Sequence, residues 1–157
     1  MTSVLITGAT GFVGSALIKR LLLENVRLTA AVLAGENTGH LPSPVELVAV
    51  ESLSESSDYT AALQGIDVVI HLAARVHIMQ ENSADPLQEF RKVNLHGTER
   101  LARQAAQAGV KRFVFMSTIG VNGDNSGDNN YTELDNPSPH NSYSVSKYEA
   151  ELALHQI

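Results

Sequence analysis

Tyr143 and Lys147 lie four residues apart in Tyr143-Ser144-Val145-Ser146-Lys147, a stretch that reads as the start of a helix, so their side chains share one face. A free tyrosine titrates near about 10 and is a poor base at neutral pH. An ammonium beside it stabilises the phenolate and lowers that value. Such a tyrosine can take the proton of a substrate hydroxyl while hydride leaves the same carbon. Thr118, with Ser117 beside it at a strand end, could hold the substrate oxygen by a hydrogen bond. Alone, Tyr-x-x-x-Lys is a common chance spacing that an exposed helix face would explain as well. A second stretch changes the balance. Gly8-Ala9-Thr10-Gly11-Phe12-Val13-Gly14 follows the apolar run Val4-Leu5-Ile6 and reads as strand, glycine-rich turn and first helical turn. Backbone N–H groups at such a helix N-terminus can meet a pyrophosphate. The glycines allow a tight turn, close approach of phosphates and close helix-on-strand packing. Together the pieces imply a nicotinamide-dependent redox site.

The rest of the chain must bring these distant pieces together. Strands are expected over 3–7, 26–33, 45–50, 67–72 and 112–116. Helices are expected over 12–23, 57–63 and 86–108, with a last one from Tyr143. In the first helix Val13, Ala16, Leu17, Leu21 and Leu22 recur at helical spacing. Ser56 or Ser57 could cap the short helix. Asp85 before Pro86 is a cap with proline at the first helical position, and Gly109 closes the far end. Residues 119–141 form a long polar loop, a length that usually carries function. The fourth strand is almost uniformly apolar, as a strand covered on both faces should be. The alternation predicts an α/β fold: a doubly wound, mostly parallel Rossmann-type sheet with right-handed crossovers. Ligands of such sheets lie outside the carboxyl ends of the strands, where Gly8, Ala73, Ser117 and Thr118 all fall.

The chain has 157 residues, 43% hydrophobic and 18% charged, which suits one domain with a real core. Its net charge of −6, without a Lys/Arg run, argues against nucleic acid as a partner. With no cysteine there is no disulfide framework, thiolate zinc site or cysteine nucleophile. Met1-Thr2-Ser3 leads directly into a strand and no apolar stretch could span a membrane, so the expectation is a cytoplasmic protein. No metal is expected. His71 and His77 flank the end of the fourth strand but lack zinc spacing with a carboxylate partner. Glu81, Asp85 and Glu89 read as a solvated approach to the long helix. Asp124, Asp128, Glu133 and Asp135 read as a solvated loop without calcium-binding spacing.

The chain resembles the extended short-chain dehydrogenase/reductase family, and within it the NAD-dependent nucleotide-sugar epimerases, dehydratases and reductases. The residues that carry the likeness are Gly8, Gly11 and Gly14; His71-Leu72-Ala73-Ala74; Asn94 with Gly97-Thr98; Phe115-Met116-Ser117-Thr118; and Tyr143 with Lys147. The resemblance implies a proton-transfer set of Thr118, Tyr143 and Lys147. It implies a cofactor, NAD or NADP with NAD the first expectation. Gly8, Thr10, Gly11, Phe12, Val13 and Gly14 would meet its pyrophosphate. Leu33, Ser52, Leu53, Leu72, Ala73 and Ala74 would line it. Ser117, Tyr143 and Lys147 would meet it, with Lys147 on the nicotinamide ribose and tuning Tyr143, and Asn94 would bind there and stabilise the site from the long helix. The implied substrate is a nucleotide sugar, a UDP-sugar first, and the implied assembly is a homodimer through the long helix and the Tyr143 helix.

The sequence departs from the family pattern in four places. Leu33 stands where an acid or Arg usually reads the adenine ribose, and the nearest acid, Glu36, falls in the following loop. Ser52, in Glu51-Ser52-Leu53, replaces an Asp. Val121-Asn122-Gly123 stands where galactose-type 4-epimerases carry Val-Tyr-Gly, which points towards 4-keto-sugar reductases of surface-polysaccharide synthesis. Finally, family members run to about twice this length. Residues 1–157 therefore read as a truncated cofactor-binding domain without the carboxyl-terminal substrate domain. The reading is a UDP-hexose 4-epimerase-like enzyme acting by transient C4 oxidation. The alternatives are a 4-keto-sugar reductase and, from another class, a non-catalytic dinucleotide-sensing module.

Overall fold

A computed structural model describes residues 1–76 and 83–157; His77 and Glu81 lie outside them. Five strands form one sheet: β1 Thr2–Thr7, β2 Val26–Leu33, β3 Glu46–Val50, β4 Val68–His71 and β5 Arg112–Phe115. Their order is β3-β2-β1-β4-β5, and every pair is parallel. The order reverses between β1 and β4, and there the sheet opens a crevice at its carboxyl edge. Helices cover both faces: α1 Phe12–Leu21, α2 Pro86–Arg91, α3 Thr98–Gln107 and α4 Ser142–Leu154. Alternation along β1 divides the core. Val4 and Ile6 face α1 and pack with Ile18, Leu28 and Ala30, while Leu5 faces the other side with Val69, Leu63 and Leu101. In α1 the buried line is Gly14 and Ile18, flanked by the partly buried Leu21 and Leu22, whereas Val13 and Ala16 are exposed. Among the described residues no helix is long and apolar enough to cross a membrane.

Two sequence expectations give way to tertiary structure. The stretch 57–63 is not a helix: 57–59 are irregular and a turn begins at Thr60. Gln104 of α3 takes its backbone: its Oε1 accepts from Tyr59 N (2.6 Å) and its Nε2 donates to Ser57 O (2.7 Å). The Ser57 hydroxyl turns back to Ser52 O (2.6 Å) instead of capping forward. The long helix is also not uniform. Asp85 caps it as expected, accepting from Gln88 N at 3.1 Å. Between α2 and α3, however, Lys92–Gly97 winds as a π-helix, a feature frequent at functional sites.

β4 ends on His71, which is wholly buried. Its Nδ1 pairs with Thr7 Oγ1 at 2.6 Å and its Nε2 with Thr98 Oγ1 at 2.9 Å. Thr7 Oγ1 also accepts from Ala73 N at 3.2 Å. A neutral imidazole offers one donor and one acceptor, and threonine hydroxyls satisfy both. Burial, reinforced by the nearby Lys147 ammonium, pulls the His71 pKa from 6.5 down to about 3. The unfolded chain therefore binds a proton in a pH range where the folded chain does not. Stability is full above the unfolded value and falls as pH drops below it. The denaturation midpoint should be lower at pH 5 than at pH 7, and His71→Gln should shrink that difference. An equal loss in the variant would assign the acid sensitivity to other groups.

Candidate active site

The chain leaves β1 through Gly8, whose φ of +67° suits glycine. A Cβ there would also sit 2.7 Å from Ala73 N, so the turn and the end of β4 touch backbone to backbone. Gly11 N closes the turn on Gly8 O at 3.2 Å. Gly11 then begins α1, and no side chain caps it. At Gly14 a Cβ would lie 2.2 Å from Gly8 O and 2.7 Å from Ala9 Cα, so the helix rests directly on the loop. The first N–H groups of α1 are thereby presented to an external acceptor, as an anion site requires. Phe12, 95% exposed, and Val13 stand at its rim.

Beside this loop lies a cavity of about 250 Å³ at the carboxyl ends of β1 to β4. Of the residues expected to line a dinucleotide, Gly8, Leu33, Ser52, Leu53, Ala73 and Ala74 form its wall. Leu72 does not: its side chain packs into the α1-side core, and its N–H bonds to Thr7 O at 3.2 Å. Sequence reading missed Tyr59 and Arg75 on the same wall and left Glu36, which also borders it, in the loop after the second strand. Tyr59 donates its hydroxyl to Glu51 O at 2.9 Å; burial and then the Glu51 carboxylate push its pKa up to about 12. It is wall, not acid or base. Glu36 folds back onto the end of β2, where one carboxylate oxygen accepts from Leu33 N (2.8 Å) and the other from the Thr10 hydroxyl.

A second group gathers on α4 at the end of β5. Asn141 caps the helix, accepting from Ser144 N at 2.8 Å, and starts it with Tyr143 and Lys147 on one face. Lys147 is only 2% exposed, and its ammonium lies 3.9 Å from the centroid of the Phe115 ring. Burial pulls Lys147 down to about 8, and the Glu151 carboxylate works against that shift. Glu151 also accepts a hydrogen bond from the Ser117 hydroxyl. The lowering expected for Tyr143 is not found. Burial pushes its phenol up, while Lys147 directs its charge at Phe115. Thr118 Oγ1 accepts from Gly120 N at 3.2 Å and so caps the short 3-10 turn Ile119–Val121, keeping its own proton to donate.

Asn94, 1% exposed, braces both groups from behind and is not on the cavity wall. Its Oδ1 accepts from Arg75 N (2.8 Å), and its Nδ2 donates to Arg75 O (3.0 Å) and Ser146 Oγ (3.0 Å). One amide in the π-helix thus fixes the strand-end backbone and α4. Gly97 completes the joint, since a Cβ there would sit 2.8 Å from Leu53 Cβ. The resemblance places Asn94 at the site from the long helix; its partners, the Arg75 backbone and Ser146, lie 19 and 52 residues away and are brought in by packing. Among the described residues no three His, Asp or Glu side chains cluster as metal ligands.

Known proteins match this arrangement. The model of the NAD dependent epimerase/dehydratase family matches residues 4–157. The UDP-glucose 4-epimerase of Vibrio cholerae is 41% identical over 157 residues, covering 97% of this chain and 46% of the relative. The dTDP-glucose 4,6-dehydratase of Streptomyces griseus is 32% identical over 160 residues, with 96% and 48% covered. The UDP-glucuronic acid 4-epimerase of Bacillus cereus, solved in complex with NAD, superposes with a TM-score of 0.82 at 27% identity, covering 99% of this chain and 52% of that one. The chain thus spans about half the length of these relatives.

A methyl group at Gly14 tests the loop. Gly14→Ala must push α1 off Gly8 O, and it should destabilise the fold by about 1–3 kcal/mol in a denaturant titration. An unchanged midpoint would mean that the loop yields freely.

Proposed function

Because the chain belongs to the NAD dependent epimerase/dehydratase family, we propose that it is the dinucleotide-binding part of a nucleotide-sugar enzyme that interconverts UDP-hexoses by transient oxidation at C4. The observation that supports this best is the buried Lys147 ammonium, one helical turn from Tyr143 and packed on the strand that leads to Ser117 and Thr118. Burying a cation is costly, and such perturbed groups gather at functional sites. The 41% identical UDP-glucose 4-epimerase supports the substrate class. We assign NAD as the cofactor. The donor set suits it: an uncapped helix N-terminus for the pyrophosphate, and a cavity walled by Gly8, Ala73 and Ala74 with little side chain in the way.

Bound there, the cofactor accepts and returns a hydride. The remaining work falls to the chain. Tyr143 takes the proton of the C4 hydroxyl as that carbon is oxidised and gives it back when the ketone is reduced from its other face. Lys147 supplies positive charge one helical turn from the phenol, with its ammonium against the Phe115 ring. The Thr118 hydroxyl, already fixed by Gly120 N, donates to the substrate oxygen. Asn94 holds α4 and the Arg75 backbone at a constant separation. The intact protein is a homodimer through the long helix, α2 to α3, and α4.

One observation favours a second reading. Asn122 stands where galactose-type 4-epimerases carry Tyr, and its Nδ2 ties the following loop to Thr132 O at 3.2 Å. In a 4-keto-sugar reductase the same residues would act once, with the reduced cofactor consumed. Extending the chain to its full length and supplying UDP-glucose, UDP-galactose or a 4-keto sugar separates the two. In either enzyme Tyr143→Phe should lower kcat by about 10²–10⁴-fold while NADH still binds. A sensing module would keep its ligand response and show no turnover to lose.

A further inference from the structure

In a parallel sheet of this order, an acid at the end of the second strand accepts a hydrogen bond from the adenosine ribose, whereas an Arg nearby accommodates a 2′-phosphate. The residue at that strand end here is Leu33, which can do neither. The structure shows what replaces it. The chain reverses at Gly35, φ +80°, and Glu36 N closes the turn on Leu33 O at 3.1 Å. This short turn carries the Glu36 carboxylate back to the strand end. There it is tied twice, by Leu33 N at 2.8 Å and by the Thr10 hydroxyl of the glycine loop. It borders the same cavity as Gly8 and Ala73.

We infer that Glu36 reads the adenosine ribose and makes the site selective for a free 2′-hydroxyl over a 2′-phosphate, a role that rests on the dinucleotide reading above. Each carboxylate oxygen has two lone pairs and has used one, so both can still accept from a ribose diol. The two existing bonds hold the group before the ligand arrives, which lowers the ordering cost of binding. A 2′-phosphate would instead bring like charge against a fixed carboxylate. The basic groups nearby do not offset it. His40 sits over the loop with Nε2 3.2 Å from Thr10 O and 3.2 Å from Ser15 Oγ, directed at the protein. Arg75 borders the cavity from the β4 side, its guanidinium 5.6 Å from the centroid of the Phe90 ring.

Titration of the chain with NADH and with NADPH, read by nucleotide fluorescence at constant ionic strength, tests this. NADH should bind more tightly by at least about tenfold. Glu36→Gln keeps the shape of the side chain and removes its charge. It should tighten NADPH and bring the two affinities to within about threefold of each other. Glu46→Gln makes the same charge change at the opposite end of the sheet and should leave the ratio alone. Should Glu36→Gln fail to fold, the unaltered chain still decides. Adenosine 5′-phosphate should displace bound NADH, and adenosine 2′,5′-bisphosphate should not. A ratio unmoved by Glu36→Gln, displacement by both adenosines, or an initial preference for NADPH overturns the role of Glu36 and leaves the dinucleotide reading standing. A chain that holds neither nucleotide overturns the dinucleotide reading, and the role of Glu36 with it.

Discussion

A buried imidazole holds the crevice open at a fixed width. His71 is the last residue of β4, and its two ring nitrogens reach Thr7 at the end of β1 and Thr98 at the start of α3. Those three elements define the switch point of the sheet and the helix behind it. Buried polar groups without partners cost more than paired ones return, so neither threonine is free to move away. Thr7 passes the constraint on through Ala73 N, and Ala73 in turn meets Gly8 at backbone contact. The glycine turn is thus positioned by a hydrogen-bonded chain that begins in the core.

A second polar brace joins the two halves of the candidate site. Asn94 fixes the Arg75 backbone beside the cavity and Ser146 next to Lys147. The paired ions Arg91 and Glu149, 2.5 Å apart, tie α2 to α4 farther out. The cavity wall and the Tyr143–Lys147 pair therefore share one support, as chemistry between them would demand.

Much of this was legible from residue order. Strand and helix alternation set the parallel sheet, and Gly8, Gly11 and Gly14 located the loop because each glycine answers a local backbone demand. Tyr143 and Lys147 became candidates only when their helical spacing was read together with the glycine loop and the Ser117-Thr118 strand end. Their electrostatics were not legible, since the direction of the Lys147 ammonium depends on Phe115, far away in sequence. The stretch 57–63 escaped for the same reason: Gln104, brought in by packing, takes Ser57 O, the carbonyl that a helix starting there would have used. Glu36 was visible but misplaced, because a loop residue returns to a strand end only through the turn at Gly35. Asn94 was named by the resemblance, but its partners, the Arg75 backbone and Ser146, were not, because packing brings them in from other elements.

The π-turn that carries Asn94 has a consequence for how the chain tolerates change. A π turn holds one residue more than the α turn it replaces. Everything beyond it is out of phase with α2 by about 100°, the rotation of one helical residue. Deleting any one residue from Lys92–Gly97 would restore continuous α-helical winding and turn the inward face of α3 aside, carrying Thr98 away from His71 and Leu101 out of the core. Length in this segment is under tighter constraint than residue type at its exposed positions. Insertions and deletions should be far better tolerated in the exposed loop stretch 124–130 than in these six residues.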